Sequence, residues 1–355
     1  MFKKFILRLF SAFSLRFIFC KGFIFFLILP FILVTCGKKI NQQEVVVYTS
    51  TDQVFSEPVL KEFEKRTGIK VHMVFDTEET KSTGLMNRLL AEKDHPRCDV
   101  FWSNDPLRVE ILKQKGVLTP YISPAASHIP SAFKDPKGYW TGFSGRIRVF
   151  LVNKKLLSRK DYPQGLLDML NPKYKGAFAL ANPLFGTTSF HVASLFVVWG
   201  DEKARAFLEG LRKNGLRLAS SNGEVARWVA LGKVKFGLVD NDDAFAMIEE
   251  GAPVEMIIPD QKGQGTLFMP NAVALIKGAP HPKTGQKLID FLLSPVAEKM
   301  LAEAVCRQIP LNPALPPPPE LPPLEKIRLL PVDYAKVAQK MEEILPFLRS
   351  WVLQK

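Results

Sequence analysis

Three carboxylates, Asp240, Asp242 and Asp243, follow the apolar run Lys235 to Val239 (KFGLV). Oxygen ligands in that number suit a hard cation, or accept hydrogen bonds from sugar hydroxyls or amines. The same run fits an aspartate-rich helix start, stabilised by the dipole of a helix over Ala244 to Glu250. A second cluster, Thr187, Thr188 and Ser189, follows the turn Asn182 to Gly186 (NPLFG). A strand feeding a helix there presents backbone N–H groups and a positive dipole end to a polar or anionic ligand group. An ordinary hydroxyl cap on a buried helix is the plain alternative. Arg146 and Arg148 alternate, so they share one strand face. They are placed either to clasp an anion with planar guanidinium groups or to be solvated at the surface. His191, just beyond the hydroxyls, reads as a packing residue close to the ligand position.

Strands and helices must place these groups. Glu44 to Thr49 (EVVVYT) predicts a first strand, ending in Ser50, Thr51 and Asp52. Helical spacing follows from Pro58 to Thr67, with Gly68 as the stop. Ile69 to Phe75 predicts a second strand leading to Asp76, Glu78 and Glu79, where solvated loop charge is the simpler reading. After a helix over Gly84 to Lys93, Cys98 to Trp102 predicts a third strand, ending in Ser103, Asn104 and Asp105. Strand, polar loop and helix thus recur, which argues for parallel α/β sheets that bind ligands beyond the carboxyl ends of their strands. Gly138 to Lys155 contains a long strand around Ile147 to Val152 and reads as the crossing into a second lobe. Asn271 to Lys277 reads as the strand that returns. Pro310 to Pro323, with four successive prolines from Pro316, reads as an extended strap, and Val332 to Leu353 as a closing helix.

The chain of 355 residues has room for two domains, and its 47% hydrophobic content supports real cores. Five of its 48 basic residues lie in 1–35 with no acid, so the rest carries 43 basic against 35 acidic residues, a net +8. Those charges are scattered rather than striped, which argues against nucleic acid as a partner. The amino end has basic residues up to Lys21, a twelve-residue apolar run from Phe23 to Val34, and then Cys36. This fits an export signal better than a membrane span. Cys98 and Cys306 read as two buried thiols, with a disulfide the alternative that export permits. No Ser nucleophile elbow, zinc-protease helix or phosphate-binding Walker loop occurs, so nothing recommends an enzyme.

In order and spacing, VVVYTSTDQVFSEPVLKEFEKRTGIKV, CDVFWSND, GYWTGFSGRIRVFLVNK, ANPLFGTTS and PNAVALIKGAPHP resemble a solute-binding protein of a bacterial ABC importer. The similarity spans roughly Val45 to Pro310 and is to the type II periplasmic family that includes ferric-iron-binding proteins. It implies an α/β fold of two lobes, each a mostly parallel sheet flanked by helices, with a ligand cleft at the hinge. The lobes would comprise 44–145 with 271–355, and 146–270. Residues 1–36 would be a signal, lipoprotein or anchor segment, since LVTC resembles a lipobox with Cys36 as the lipidated residue, and the protein would sit in the periplasm or cell envelope, tethered to the membrane. The resemblance further implies a non-enzymatic, monomeric carrier serving a permease and its ATPase, with no cofactor beyond a possible metal ion. Ferric-binding members use adjacent tyrosines as phenolate ligands. Here Tyr48, Tyr121, Tyr139, Tyr162, Tyr174 and Tyr334 form no adjacent pair, and the comparable strand end is Val239 to Asp243. A carboxylate-held metal, or a sugar phosphate, phosphonate or carboxylate, is the expected guest. Its expected binding residues are Ser50, Thr51, Asp52, Glu78, Asn104, Arg146, Asn182, Thr187, Thr188, Ser189, Asp240 and Asp242. Two other readings stand beside the carrier: a secreted metal-dependent phosphoester hydrolase using Asp240, Asp242 and Asp243, and an envelope interaction protein whose contact is the proline strap.

Overall fold

The computed structural model describes residues 43–76 and 83–354. The expected 1–36 segment, Cys36, Glu78 and Glu79 lie outside them. In the first half, β1 (Glu44–Thr49) leads to α1 (Gln53–Thr67), β2 (Lys70–Phe75), α2 (Thr83–Ala91), β3 (Val100–Ser103) and α3 (Pro106–Gln114). β1 buries Val45 and Val47 on one face and Tyr48 on the other. α1 begins five residues before its expected start and carries Pro58 inside it. Gly68 ends it in the left-handed conformation (φ 69°), where the absence of a Cβ removes the steric cost. α3 starts at Pro106, three residues before its expected start. Asp105 caps it by accepting the Arg108 N–H at 3.3 Å.

A two-residue strand β4 (Leu118–Thr119) precedes β5 (Thr141–Asn153), thirteen residues buried throughout. The second half then runs β6 (Phe178–Ala181), α4 (Gly186–Trp199), α5 (Asp201–Lys213), β7 (Arg217–Ala219), α6 (Asn222–Ala230), β8 (Phe236–Asp240), α7 (Asn241–Glu249) and β9 (Val254–Ile257). β10 (Phe268–Ile276), α8 (Pro282–Leu292), α9 (Pro295–Glu303) and α10 (Tyr334–Leu353) complete the chain.

The strands lie in the order β2-β1-β3-β10-β5-β8-β6-β7, with β4 on β10 and β9 on β5. Two parallel blocks, β2-β1-β3 and β8-β6-β7, flank a central pair, and that pair is antiparallel to its neighbours. β5 links the two sides: Thr141 to Ile147 pairs with β10, and Arg148 to Val152 pairs with β8. The carboxyl ends of both parallel blocks therefore converge beside the middle of β5. Aromatic side chains fill the interior on either side, with Trp102 against Phe143 (centroids 5.4 Å apart) and Phe236 among Phe150, Tyr174 and Phe178.

Residues after α9 tie the halves together. Ile309 exchanges two backbone hydrogen bonds with Gly145 at 2.8 Å, and beyond the strap the Leu330 N–H donates to Thr266 O. α10 packs against α3 of the first half and α4 of the second. Lys115 pairs with Glu342 on the α3 side, and Arg205 lies over the Phe347 ring on the other. Cys98 and Cys306 are buried free thiols. Among the described residues, no helix is long and apolar enough to cross a membrane.

Glu298 holds the base of the strap. Fully buried, it accepts the N–H groups of Ser144 (2.7 Å), Leu311 (2.8 Å) and Asn312 (2.9 Å). Ser144 sits at φ 36°, a conformation that costs a non-glycine residue energy and needs such anchoring. Glu298→Ala strands three N–H groups, so stability should fall by about 3 kcal/mol or more. Urea unfolding monitored by fluorescence checks this, and an unchanged midpoint would show that the strap is held otherwise.

Candidate functional site

At the convergence of the two parallel blocks lies a polar cavity of about 470 Å³, counting space open to solvent. The first half contributes Asp52, just before α1, and Asn104, just after β3. The second half contributes Ala181, Asn182, Phe185, Gly186, Thr187 and Thr188 from the junction of β6 with α4, Ser220, Ser221 and Asn222 from that of β7 with α6, and Asp240, Asp242 and Asp243 from that of β8 with α7. Arg146 enters from β5. Each wall is thus the carboxyl end of a strand meeting a helix amino end, where backbone donors point outward.

Register explains the charges. Arg148 on β5 lies directly opposite Asp240 on β8, which puts the two side chains on the same face. Arg148 has no exposed surface and donates to Asp240 Oδ1 at 2.6 Å, to Asn222 Oδ1 at 3.1 Å and to Leu238 O at 3.1 Å. Asp240 accepts from Thr187 Oγ1 at 2.7 Å, and Asn222 Nδ2 donates to the same hydroxyl at 2.8 Å. Burial acts against the Asp240 carboxylate, but the two guanidinium charges and these hydrogen bonds outweigh it and lower its pKa.

Arg146 reaches across the cavity. Its Nη2 donates to Asn104 O at 2.5 Å, and its Nη1 lies 3.4 Å from Asp242 and 3.6 Å from Asp240. Burial opposes its charge, but Asp242, Asp240, Asp52 and Asp243 overcome that and raise its pKa. One guanidinium therefore faces four carboxylates. Beside Asp240, α4 starts at Gly186 with no side-chain cap, and Gly186, Thr187 and Thr188 line the same cavity. The surface reading of Arg146 and Arg148 is corrected: both are buried and engaged with aspartates.

Of the expected binding residues, Asp52, Asn104, Arg146, Asn182, Thr187, Thr188, Asp240 and Asp242 border the cavity. Ser50, Thr51 and Ser189 do not; all three are buried with their hydroxyls engaged. Ser50 bonds Asn104, Thr51 reaches Asn271, and Ser189 accepts from Arg108 at 2.8 Å while donating to Gly186 O at 2.7 Å. Those hydroxyls shape the walls from behind. Nor do Thr187, Thr188 and Ser189 act as caps, because they lie inside the first turn of α4.

Ser220, Ser221, Asn222 and Phe185 border the cavity but are not among the expected binding residues. β7 is only three residues long, too short to register as a strand, although the polar triplet after it repeats the pattern seen after β6. No tyrosine is among the cavity residues, so phenolate ligands are absent from it. One carboxylate oxygen from each of Asp240, Asp242 and Asp243 lies within 4.8 Å of the others. Nothing in the arrangement supports the hydrolase, because Asp240 and Asp242 already pair with guanidinium groups.

His191 stands behind the cavity in α4, beside a small void lined by Leu166, Leu180 and Leu238. Burial, then the Arg148 charge, pushes its pKa down to about 3. The unfolded chain takes up a proton near pH 6.5, and the native state does so only near pH 3. Stability therefore falls on acidification through this window, by about 1.4 kcal/mol per pH unit from this one group. His191→Gln should flatten the dependence between pH 6 and pH 4. Equal slopes for the two proteins in urea unfolding would contradict a buried neutral imidazole.

A family model described as "Bacterial extracellular solute-binding protein" matches residues 97–340. The chain is 27% identical over 287 residues to "Iron uptake protein A1" of Synechocystis, covering 77% of this chain and 78% of that one. It is 28% identical over 247 residues to a periplasmic protein of Salmonella paratyphi A named for 2-aminoethylphosphonate binding, covering 68% and 69%. Its structure is similar to that of the periplasmic binding protein AfuA from Actinobacillus pleuropneumoniae with fructose-6-phosphate bound. That match has a TM-score of 0.77 and 26% identity, covering 88% of this chain and 98% of that one. With two parallel blocks meeting at a polar cavity and a family match over most of its length, this chain belongs to the bacterial extracellular solute-binding protein family.

Proposed function

We propose that the protein is the non-enzymatic substrate-binding component of an ABC importer, and that its cavity takes a small anion carrying hydroxyl or amine groups. The single observation behind this reading is that helix amino ends and carboxylates line one small cavity. Uncapped N–H groups at the start of α4 and the polar triplet before α6 suit a phosphate or phosphonate head. Asp52, Asp242 and Asp243 in the same cavity suit donors such as hydroxyls or an amine. Relatives named for an aminophosphonate and a structure holding a sugar phosphate agree with that chemistry. A ferric complex is the second reading, favoured by the clustered carboxylates and by the iron-uptake relative.

In this reading 44–145 with 271–355 forms one lobe and 146–270 the other, with α10 lying across both. β5, β10 and the strap would flex as the hinge. The solute favours closure because only the closed arrangement lets Asp52 and Asn104 meet the same guest as Thr188 and Asp242. Export to the periplasm, acylation at Cys36, a monomeric state and docking on a permease with its ATPase complete the assignment.

A thermal-shift series against 2-aminoethylphosphonate, hexose phosphates and ferric citrate tests it. Saturation at 100 times Kd should add about 2.7 kcal/mol, several degrees in Tm. Arg146→Ala and Asp242→Asn should weaken that response at least tenfold, with no turnover of the phosphate ester. A response to ferric citrate alone would favour the second reading, and no response to any of the three would overturn the assignment.

A further inference from the structure

Basic residues scattered along the chain gather at the end of the second half remote from the cavity. Four connecting segments meet there: 154–158 leaves β5, 173–177 leads into β6, 213–217 into β7 and 231–235 into β8. Each holds two basic residues, and none holds an aspartate or glutamate. Backbone hydrogen bonds set them side by side. Asn153 N–H donates to Lys235 O at 2.9 Å, Lys235 N–H to Ala177 O at 2.7 Å and Gly176 N–H to Asn214 O at 2.8 Å. Arg217 Nη1 then donates to Lys233 O at 2.7 Å, with the guanidinium over the Trp228 ring. Lys235 precedes β8 and Asp240 ends it, so this pole and the cavity are about 17 Å apart along one strand.

Among the described residues, none of these eight cations forms an ion pair, and all but Lys235 are exposed. Acidic residues flanking the pole are engaged elsewhere: Glu249 with Arg307, Glu255 with Arg159, and Asp161 with the Ser158 hydroxyl. Glu250, next along from Glu249, is one negative charge against eight positive ones. Two of the four segments also expose a leucine. Leu231 is 72% and Leu156 42% exposed, and Leu156 Cδ1 reaches the Gly232 turn beside Leu231. Apolar tips framed by long, flexible cations match the surface of an anionic bilayer, where leucines enter the boundary between headgroups and acyl chains and lysines meet the headgroup charge. A nucleic acid offers the charge but no apolar layer for the leucines.

We propose that this pole docks on a bilayer surface rich in anionic phospholipid, with Leu156 and Leu231 entering the headgroup region. The inference does not depend on which solute the cavity takes, since the cavity lies at the other end of the same strands. Hydrogen exchange of the purified full chain, read segment by segment with and without vesicles, tests it. Vesicles containing a quarter phosphatidylglycerol should slow exchange across 154–158 and 231–235, and pure phosphatidylcholine vesicles should leave both unchanged. The local readout separates the pole from any contact made by the amino-terminal segment. Each cation near an anionic surface contributes about fivefold in affinity. Lys154→Glu, Lys155→Glu and Lys233→Glu combined should therefore weaken the protection at least tenfold, and Leu231→Ser should weaken it without altering its salt dependence. Salt near 1 M, where the screening length is about 3 Å, should abolish it. Exchange at the pole unaltered by anionic vesicles would overturn the proposal, as would protection that persists in the triple variant. Protection by polyuridylic RNA with none from vesicles would overturn the lipid assignment in favour of nucleic acid.

Discussion

A guanidinium with no exposed surface lies at the centre of this protein. Arg148 cannot be buried without a compensating charge, and Asp240 supplies it from directly across the β5–β8 pairing. Removing one partner of such a pair strands the other in a low-dielectric interior, at a cost of about 3–5 kcal/mol. The pair also holds Thr187 and Asn222 in hydrogen bonds, which ties the starts of α4 and α6 to the end of β8. Three strand–helix junctions thereby become one rigid polar wall. Its rigidity comes from satisfying a buried charge, and the cavity is shaped as a consequence.

Arg146, two residues earlier on the same strand face, does the complementary work. It spans from the Asn104 carbonyl of the first half to Asp242 of the second. Four carboxylates around it leave the local charge negative, while the amino ends of α4 and α6 present positive dipole ends. Both polarities within one small cavity suit a guest that carries both kinds of group better than one that carries a single kind. Hydroxyls set back from the surface, at Ser50, Thr51 and Ser189, keep Asn104 and the α4 turn in position without touching the cavity themselves.

How much could be read beforehand follows from how local each signal is. The β-branched run at Glu44, the alternation at Ile69 and the glycine stop at Gly68 are short-range features, and the elements formed close to the positions they indicate. Helix starts were less legible: α1 takes in residues before Pro58, and α3 is capped by Asp105 rather than beginning at Val109. β7 left no pattern, because three residues cannot display a period. The aspartate run after KFGLV was legible as chemistry, but whether it faced solvent, an ion or an arginine was not.

The chain's own residues determined that polar loops would follow apolar strands and that a long strand would cross from one half to the other. They also determined that no adjacent tyrosines would be available as phenolate ligands. Those are statements about neighbours along the chain. Only the tertiary structure decided that Arg148 meets Asp240, 92 residues away, and that Asn104 and Asp242 share one arginine. Strand register and helix docking set those distances, and a one-residue slip would turn each side chain to the opposite face.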